Sequence, residues 1–106
     1  MLARVVPGNR TLTTLGQAGK SDVFVVAADD IAGMNAAQLS QRLAIKPSGV
    51  FTVIRFSTPA SGVASPVFRL EYPEFLQGGL TRGAAREFTI PNGPIPPGAI
   101  REVVGP

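Results

Sequence analysis

The amino-acid sequence predicts an α+β fold, with one or two helices packed on a mainly antiparallel sheet of four or five strands. The chain has 106 residues, which is enough for one domain with a single core and too few for two. Its 12 Gly and 10 Pro would interrupt the long helices of an all-α bundle. Hydrophobic residues make up 44% of the chain and charged residues 16%, which is typical of a folded chain rather than a disordered one.

The clearest local pattern predicts a helix from Asn35 to Ala44. The Asn35 side chain can cap the first turn, and Gln38 follows three residues later, as in a capping box. Leu39 and Leu43 are four residues apart, so they share one helix face and can pack against a sheet.

Four segments have the patterns of β-strands. The continuous apolar run at residues 22–28 is rich in β-branched residues and predicts a strand covered on both faces. Residues 51–56 predict a strand in which Arg55 projects from a largely apolar segment. Two further strands are predicted at residues 86–90 and 99–104.

The rest of the chain is predicted to be irregular. Residues 1–21 are expected to form an N-terminal arm, with at most a short strand at 4–6, ahead of a single domain over residues 22–106. Residues 57–84 contain repeated Ser-Gly, Pro and Gly-Gly turns and predict a long loop beside a cleft. Loops of that length are often functional in compact domains.

Missing residue types exclude several functions. The chain contains no Cys and no His, so disulfides, thiol nucleophiles and His-based catalysis are excluded. No pair of carboxylates has the spacing of a metal site, and neither a metal nor a cofactor is predicted. The longest apolar run, at residues 23–28, is far shorter than the roughly 20 residues that span a bilayer, so no membrane span is predicted.

The balance of charge favours an anionic partner. Lys and Arg total 10 against 7 for Asp and Glu, giving a net charge of +3, and most of the cations are Arg. Arg binds phosphates and carboxylates in a bidentate manner, which is typical of proteins that recognise polyanions. The alternative is that this excess is ordinary solubilising charge.

The segment at residues 78–91 is the strongest candidate for chemistry. Its small residues allow a ligand to approach the backbone. Because His is absent, carboxylates are the candidates for general acid–base catalysis, and Arg and hydroxyl groups are the candidates for stabilising negative charge. The predicted catalytic residues are Glu87, Arg86, Arg69 and Thr81. The alternative is an ordinary Gly-rich turn in which Arg86 and Glu87 form a solvated pair.

A second set of residues is predicted to bind the substrate. Arg55, Arg82 and Lys46 can hold phosphate groups, while Phe68 and Tyr72 can stack on a base or a nicotinamide ring. The alternative is that the two aromatic residues anchor the long loop to the core.

Three stretches of the chain resemble the C-terminal toxin domains of bacterial polymorphic toxin systems, including the contact-dependent growth inhibition toxins. They are DVFVVAADDIAGMNAAQLSQRL, FTVIRFSTPASGVASPVFR and GGLTRGAAREFTIPNGPIPPGA. The resemblance implies the tail of a secreted or cell-surface protein that is delivered to, and acts in, the cytoplasm of a target bacterium. It also implies a cognate immunity protein, commonly acidic, that binds the toxin monomer in a heterodimeric complex.

The barnase-like ribonucleases are the leading subclass that this resemblance suggests. It implies a small nuclease architecture and cleavage of cytosolic RNA, including tRNA, without His. In this hypothesis Glu87 or Thr81 assists deprotonation of a ribose 2′-hydroxyl, and Arg86 and Arg69 stabilise the phosphate. Arg55, Arg82 and Lys46 then hold the RNA backbone.

Two alternatives stay open. The segment from Glu87 to Gly93 resembles the strand ending of ADP-ribosyltransferases, in which a catalytic Glu precedes an apolar-Pro-Gly pattern. NAD would then be the substrate of a transferase or glycohydrolase, although Ala85 stands where that group usually has an acidic or amide residue. In the second alternative the chain is a non-enzymatic interaction module that docks through residues 91–98.

Overall fold

The computed structural model describes residues 1–63, 75–76, 80–81 and 83–106. These residues form a five-stranded antiparallel sheet, one α-helix and a two-stranded hairpin, which confirms the predicted α+β class. The elements in chain order are β1 (Leu2–Pro7), β2 (Asp22–Ala27), a 3-10 turn (Ala28–Asp30), α1 (Ala36–Leu43), β3 (Phe51–Phe56), β4 (Phe75–Leu76), β5 (Leu80–Thr81), β6 (Glu87–Pro91) and β7 (Ile100–Val104). Within this described part, no helix has the length and apolar character needed to cross a membrane.

The strand β1 lies at the centre of the sheet, whose strand order is β6-β2-β1-β3-β7. The sequence predicted an arm with at most a short strand here, whereas the structure pairs all six residues of β1 with β3. The partners of β1 come from residues far along the chain, and Arg4 interrupts its apolar pattern, so the local sequence does not reveal its central place. Residues 8–21 form the connection to β2.

The helix α1 forms as predicted. The Asn35 side chain accepts a hydrogen bond from the Gln38 N–H (2.9 Å), and the Gln38 side chain accepts one from the Asn35 N–H (3.0 Å), which completes the capping box. At the other end Ala44 adopts a left-handed conformation with φ 56°, which ends the helix. Leu39 and Leu43 are buried against the sheet, as their spacing predicted.

Both faces of the sheet are covered by apolar residues. On one face α1 and the 3-10 turn bury a core that is centred on β1, β2 and β3. Its members include Ala3, Val26, Phe51, Val53, Ile31, Leu39 and Leu43. On the other face the connections between strands cover a second core that includes Leu15, Val23, Val25, Ile54, Phe56 and Ile90. The strand β2 contributes to both cores, as its continuous apolar run predicted.

A tight turn between β5 and β6 docks on the end of α1. The Thr81 hydroxyl donates to the Arg42 carbonyl oxygen (2.5 Å) and accepts from the Ala85 N–H (3.0 Å). The Arg42 guanidinium in turn donates to the Gly83 carbonyl oxygen (2.9 Å). Gly83 lies so close to the carbonyl groups of α1 that a Cβ atom there would collide with them. This clamp fixes the start of β6, and therefore the position of Glu87.

The hairpin of β4 and β5 lies within the segment that was predicted to be a long irregular loop. The other described residues of that segment, 57–63 and 83–84, belong to no strand or helix. The remainder of the predicted loop lies outside the described residues.

Candidate active site at the split in the sheet

The strands β1 and β2 separate soon after they pair. Their register consists of Leu2 with Ala27 and Ala3 with Val26, and no further pair follows. A continuing ladder would place Val5 opposite Phe24. We call this separation the sheet split.

The side chain of Arg4 fills part of the sheet split. Its Nη1 donates to the Phe24 carbonyl oxygen (3.1 Å), which is the acceptor that a continuing ladder would have used. Its Nε donates to the Leu15 carbonyl oxygen on the connection between β1 and β2 (3.0 Å). A guanidinium has five N–H groups, so these two bonds leave donors for other partners.

A buried carboxylate accompanies this arginine. Glu87 is only 7% exposed and lies opposite Val26 in the register of β6 and β2. Burial lowers the pKa of Arg4, the negative charge of Glu87 raises it, and the nearby positive charge of Arg10 lowers it further. Arg remains protonated in proteins, so the site holds a cation and a carboxylate in partly desolvated surroundings.

Two adjoining cavities open at the sheet split. The larger, of about 740 Å³, lies between the β1–β2 connection and the segment that follows α1. The smaller, of about 190 Å³, contains Glu87 in its wall. Arg4, Val5 and Ile45 line both cavities, so the two share a wall. The larger volume is that of a small-molecule site, which typically measures about 300–1,000 Å³.

The larger cavity is strongly basic. Arg4, Arg10 and Lys46 line it, and no carboxylate is found among its described lining residues. The backbone of Arg10 is anchored by two hydrogen bonds. Its N–H donates to the Thr52 hydroxyl (2.9 Å), and its carbonyl oxygen accepts from the Arg101 guanidinium (3.0 Å). Lys46, which was predicted to bind substrate, lines the same cavity as Arg4 and Arg10, which were not predicted as site residues.

Arg86 is bound to a different part of the molecule. Its side chain donates to both oxygens of Asp30 (2.9 and 3.1 Å), and its backbone N–H donates to the same carboxylate (2.8 Å). These bonds lower the pKa of Asp30 and raise that of Arg86. Arg86 and Glu87 are therefore not the solvated pair that the alternative interpretation described. Glu87 lines the smaller of the two cavities, and Arg86 lines neither of them.

The remaining predicted residues are dispersed or lie outside the described residues. Arg55 forms an ion pair with Glu102 (3.0 Å) on the far side of β1 and lines neither cavity. The Thr81 hydroxyl is fully buried in the clamp on α1. Arg69, Arg82, Phe68 and Tyr72 lie outside the described residues, so their catalytic and binding roles stay predictions.

Arg4 and Arg10 are the site residues that the sequence analysis missed. The sequence does contain a signal at Arg4, which is a cation within the apolar run around Val5. Burying a charge in a strand costs free energy unless the charge has a partner, so such a residue is a candidate for a specific role. No comparable signal marks Arg10. Among the described residues, no group of three or more potential metal ligands is found.

The fold and the site together define a small α+β domain that offers one buried carboxylate and several cations to an anionic ligand. A family model identifies the domain further. The chain belongs to the family described as Novel toxin 10 (Ntox10), a family of polymorphic toxin domains, whose model matches residues 1–105. This confirms the resemblance to polymorphic toxins. Neither the curated proteins nor the solved structures contain a match to the chain.

Proposed function

We propose that this toxin domain cleaves NAD between nicotinamide and ribose, as a glycohydrolase or an ADP-ribosyltransferase. One observation carries the proposal. The buried Glu87 carboxylate and the Arg4 guanidinium lie at adjoining cavities of small-molecule size, and the larger cavity is lined by two further cations. That combination suits a dinucleotide, which has anionic phosphates and one electrophilic ribose carbon.

The reaction requires little acid–base chemistry. The bond between the nicotinamide nitrogen and C1′ of the ribose breaks, and both electrons leave with nicotinamide. The leaving nitrogen thereby loses its positive charge, so it needs no proton. Positive charge develops on the ribose, where the Glu87 carboxylate would stabilise it. Water, or a nucleophilic group of a target protein, then bonds to C1′ and releases a proton.

A chain without His and Cys suits this chemistry better than it suits RNA cleavage. Phosphodiester cleavage through a 2′-hydroxyl needs a base to take one proton and an acid to supply another. Glu87 is the single carboxylate among the described residues that line the two cavities. One carboxylate is sufficient for the loss of nicotinamide.

Cleavage of cytosolic RNA is the second candidate. The three cations of the larger cavity favour it, because they would attract the backbone of any nucleic acid. In this version Glu87 deprotonates a ribose 2′-hydroxyl and Arg4 stabilises the phosphate. The catalytic roles predicted for Arg86 and Thr81 are less well supported, because Arg86 is bound to Asp30 and Thr81 to the end of α1. The barnase-like architecture is part of this second candidate.

The proposal extends to the partner and to the place of action. Toxin domains of this kind usually pair with immunity proteins. We propose an acidic immunity protein that binds one copy of this domain and covers the basic cavity. The domain would be the tail of an exported protein and would act in the cytoplasm of a target bacterium.

The test compares two Glu→Gln variants that are produced by cell-free synthesis, which avoids toxicity to a host. The chain is incubated with NAD and, separately, with total bacterial RNA. Glu87→Gln is expected to slow nicotinamide release by about 100-fold or more, because it removes the charge that faces the ribose. Glu102→Gln, whose carboxylate is paired with Arg55 outside the cavities, is expected to retain the wild-type rate.

The other outcomes separate the candidates. RNA degradation that depends on Glu87, without nicotinamide release, would replace the proposal with the ribonuclease. Activity on neither substrate, with or without a bacterial extract as a source of protein targets, would favour the non-enzymatic interaction module.

A further inference from the structure

The backbone of Val5 lies at the wall of the larger cavity, beyond the last ladder pair of β1 with β2. The Gly8 N–H donates to the Val50 carbonyl oxygen (2.9 Å), so the even-numbered residues of β1 form the hydrogen bonds with β3. The backbone groups of Val5 therefore face β2, which has already separated from β1 at that level. Val5 forms no ladder pair with β2, and it lines both cavities.

The charges of the site can be counted. Glu87 offsets the charge of Arg4, because its negative charge stabilises the protonated guanidinium. Arg10 and Lys46 then remain as two exposed cations at the larger cavity, with no carboxylate among its described lining residues. Two positive charges match a diphosphate diester, which carries about two negative charges at neutral pH.

The two cations are attached to different segments of the chain that line the same cavity. Arg10 lies on the β1–β2 connection, where its backbone is fixed by Thr52 and Arg101. Lys46 lies just beyond the end of α1. Two cations on separate segments can contact both phosphates of a diphosphate, and a neutral N–H in the same cavity wall adds directionality.

We infer that Arg10, Lys46 and the Val5 N–H form a diphosphate-binding subsite that selects dinucleotides over mononucleotides. The inference rests on the proposed function, since it assigns the part of NAD that does not react. Bound there, the diphosphate lies next to the smaller cavity, whose wall contains Glu87, because Arg4, Val5 and Ile45 line both cavities.

The closing experiment measures binding of ADP-ribose by isothermal titration calorimetry. ADP-ribose retains the diphosphate and lacks the nicotinamide bond, so it reports binding without cleavage. The double variant Arg10→Ala with Lys46→Ala is compared with Lys20→Ala, a control that removes a positive charge from the β1–β2 connection but lines neither cavity. Unfolding midpoints of all three proteins are measured, to show that the variants are folded.

The double variant is expected to bind ADP-ribose at least about 30-fold more weakly, because a charge-assisted hydrogen bond contributes roughly ten-fold or more in affinity. Lys20→Ala is expected to change the affinity by less than about three-fold, as is usual for a distant surface charge. Wild-type protein is expected to bind AMP at least about ten-fold more weakly than ADP-ribose, since AMP offers a single phosphate.

The results distinguish the inference from the proposed function. Wild-type affinity in the folded double variant, or equal losses in that variant and in Lys20→Ala, would overturn the subsite even if the protein cleaves NAD. Weakened ADP-ribose binding in the double variant alone would support the subsite, even if the wild-type protein releases no nicotinamide and the proposed reaction fails.

Discussion

The two flanks of β1 differ in how far they are paired. Toward β3 all six residues of β1 join the ladder, and toward β2 only Leu2 and Ala3 do so. The β3 flank is closed by buried side chains such as Phe51, Val53 and Phe56. The β2 flank instead opens into cavities lined by charged residues.

The contrast shows which part of the sheet stabilises the fold and which part is available for chemistry. A desolvated charge costs free energy unless hydrogen bonds and an opposite charge compensate for it. Arg4 receives both forms of compensation, from two backbone carbonyls and from Glu87. Such arrangements contribute little to stability compared with an apolar contact, and they are concentrated at functional sites.

The closed flank is expected to give the largest effect on stability. Phe56 is 1% exposed, and Phe56→Ala should lower the free energy of unfolding by about 3–5 kcal/mol, because it removes buried area and leaves a cavity. Urea denaturation followed by circular dichroism measures the change. The control is Ile100→Ala on the edge strand β7, where the side chain is 58% exposed and the expected change is within about 0.5 kcal/mol. Similar losses in the two variants would contradict the contrast.

The sheet split is expected to respond mainly in activity. Arg4→Met keeps much of the apolar stem but leaves the Phe24 and Leu15 carbonyls without their donor, so it should cost about 1–3 kcal/mol of stability. The same variant should abolish nicotinamide release, while Phe56→Ala should retain activity at temperatures where it is still folded. Full activity of Arg4→Met, measured together with its unfolding curve, would move the active site away from the sheet split.

The elements that could be predicted are those whose signals lie within a few residues of one another. The capping box at Asn35 and the largely apolar segment Phe51–Phe56 predicted α1 and β3 with bounds that agree to within a residue. The central strand β1 could not be located in this way. Its pairing depends on partners as distant as Phe56, and Arg4 interrupts the apolar pattern of the segment.

The candidate site could also be predicted only in part, because some of its residues are brought together by contacts between distant parts of the chain. Glu87 could be singled out because a Gly-rich segment precedes it at the start of a predicted strand, and Lys46 because a cation can hold a phosphate group. The place of Arg10 beside them depends on the path of the β1–β2 connection, which is held by contacts to Thr52 and Arg101 across more than 40 residues of sequence. Such contacts leave no local pattern.

The pair of Arg86 and Asp30 provides a further comparison with the sheet split, because its arginine side chain is exposed. The Arg86 side chain and backbone hold the pKa of Asp30 below its usual value. A carboxyl with a lowered pKa stabilises the folded state above its unfolded pKa, about 3.9, and this contribution is lost as the pH falls through the folded value. Asp30→Asn should therefore lose less stability than the wild type between pH 5 and strongly acidic conditions, and should be slightly less stable at about pH 7.

Thermal unfolding at a series of pH values measures this difference. Asp29→Asn is the matched control, since it removes a carboxyl from the same 3-10 turn and leaves the bonds between Asp30 and Arg86 intact. The expected change is the smallest of the three, because solvent screens an exposed pair. Nicotinamide release at neutral pH should be unchanged in Asp30→Asn if Arg86 only anchors β6 to the turn. A large loss of activity without a loss of stability would instead return Arg86 to the catalytic role that the sequence predicted.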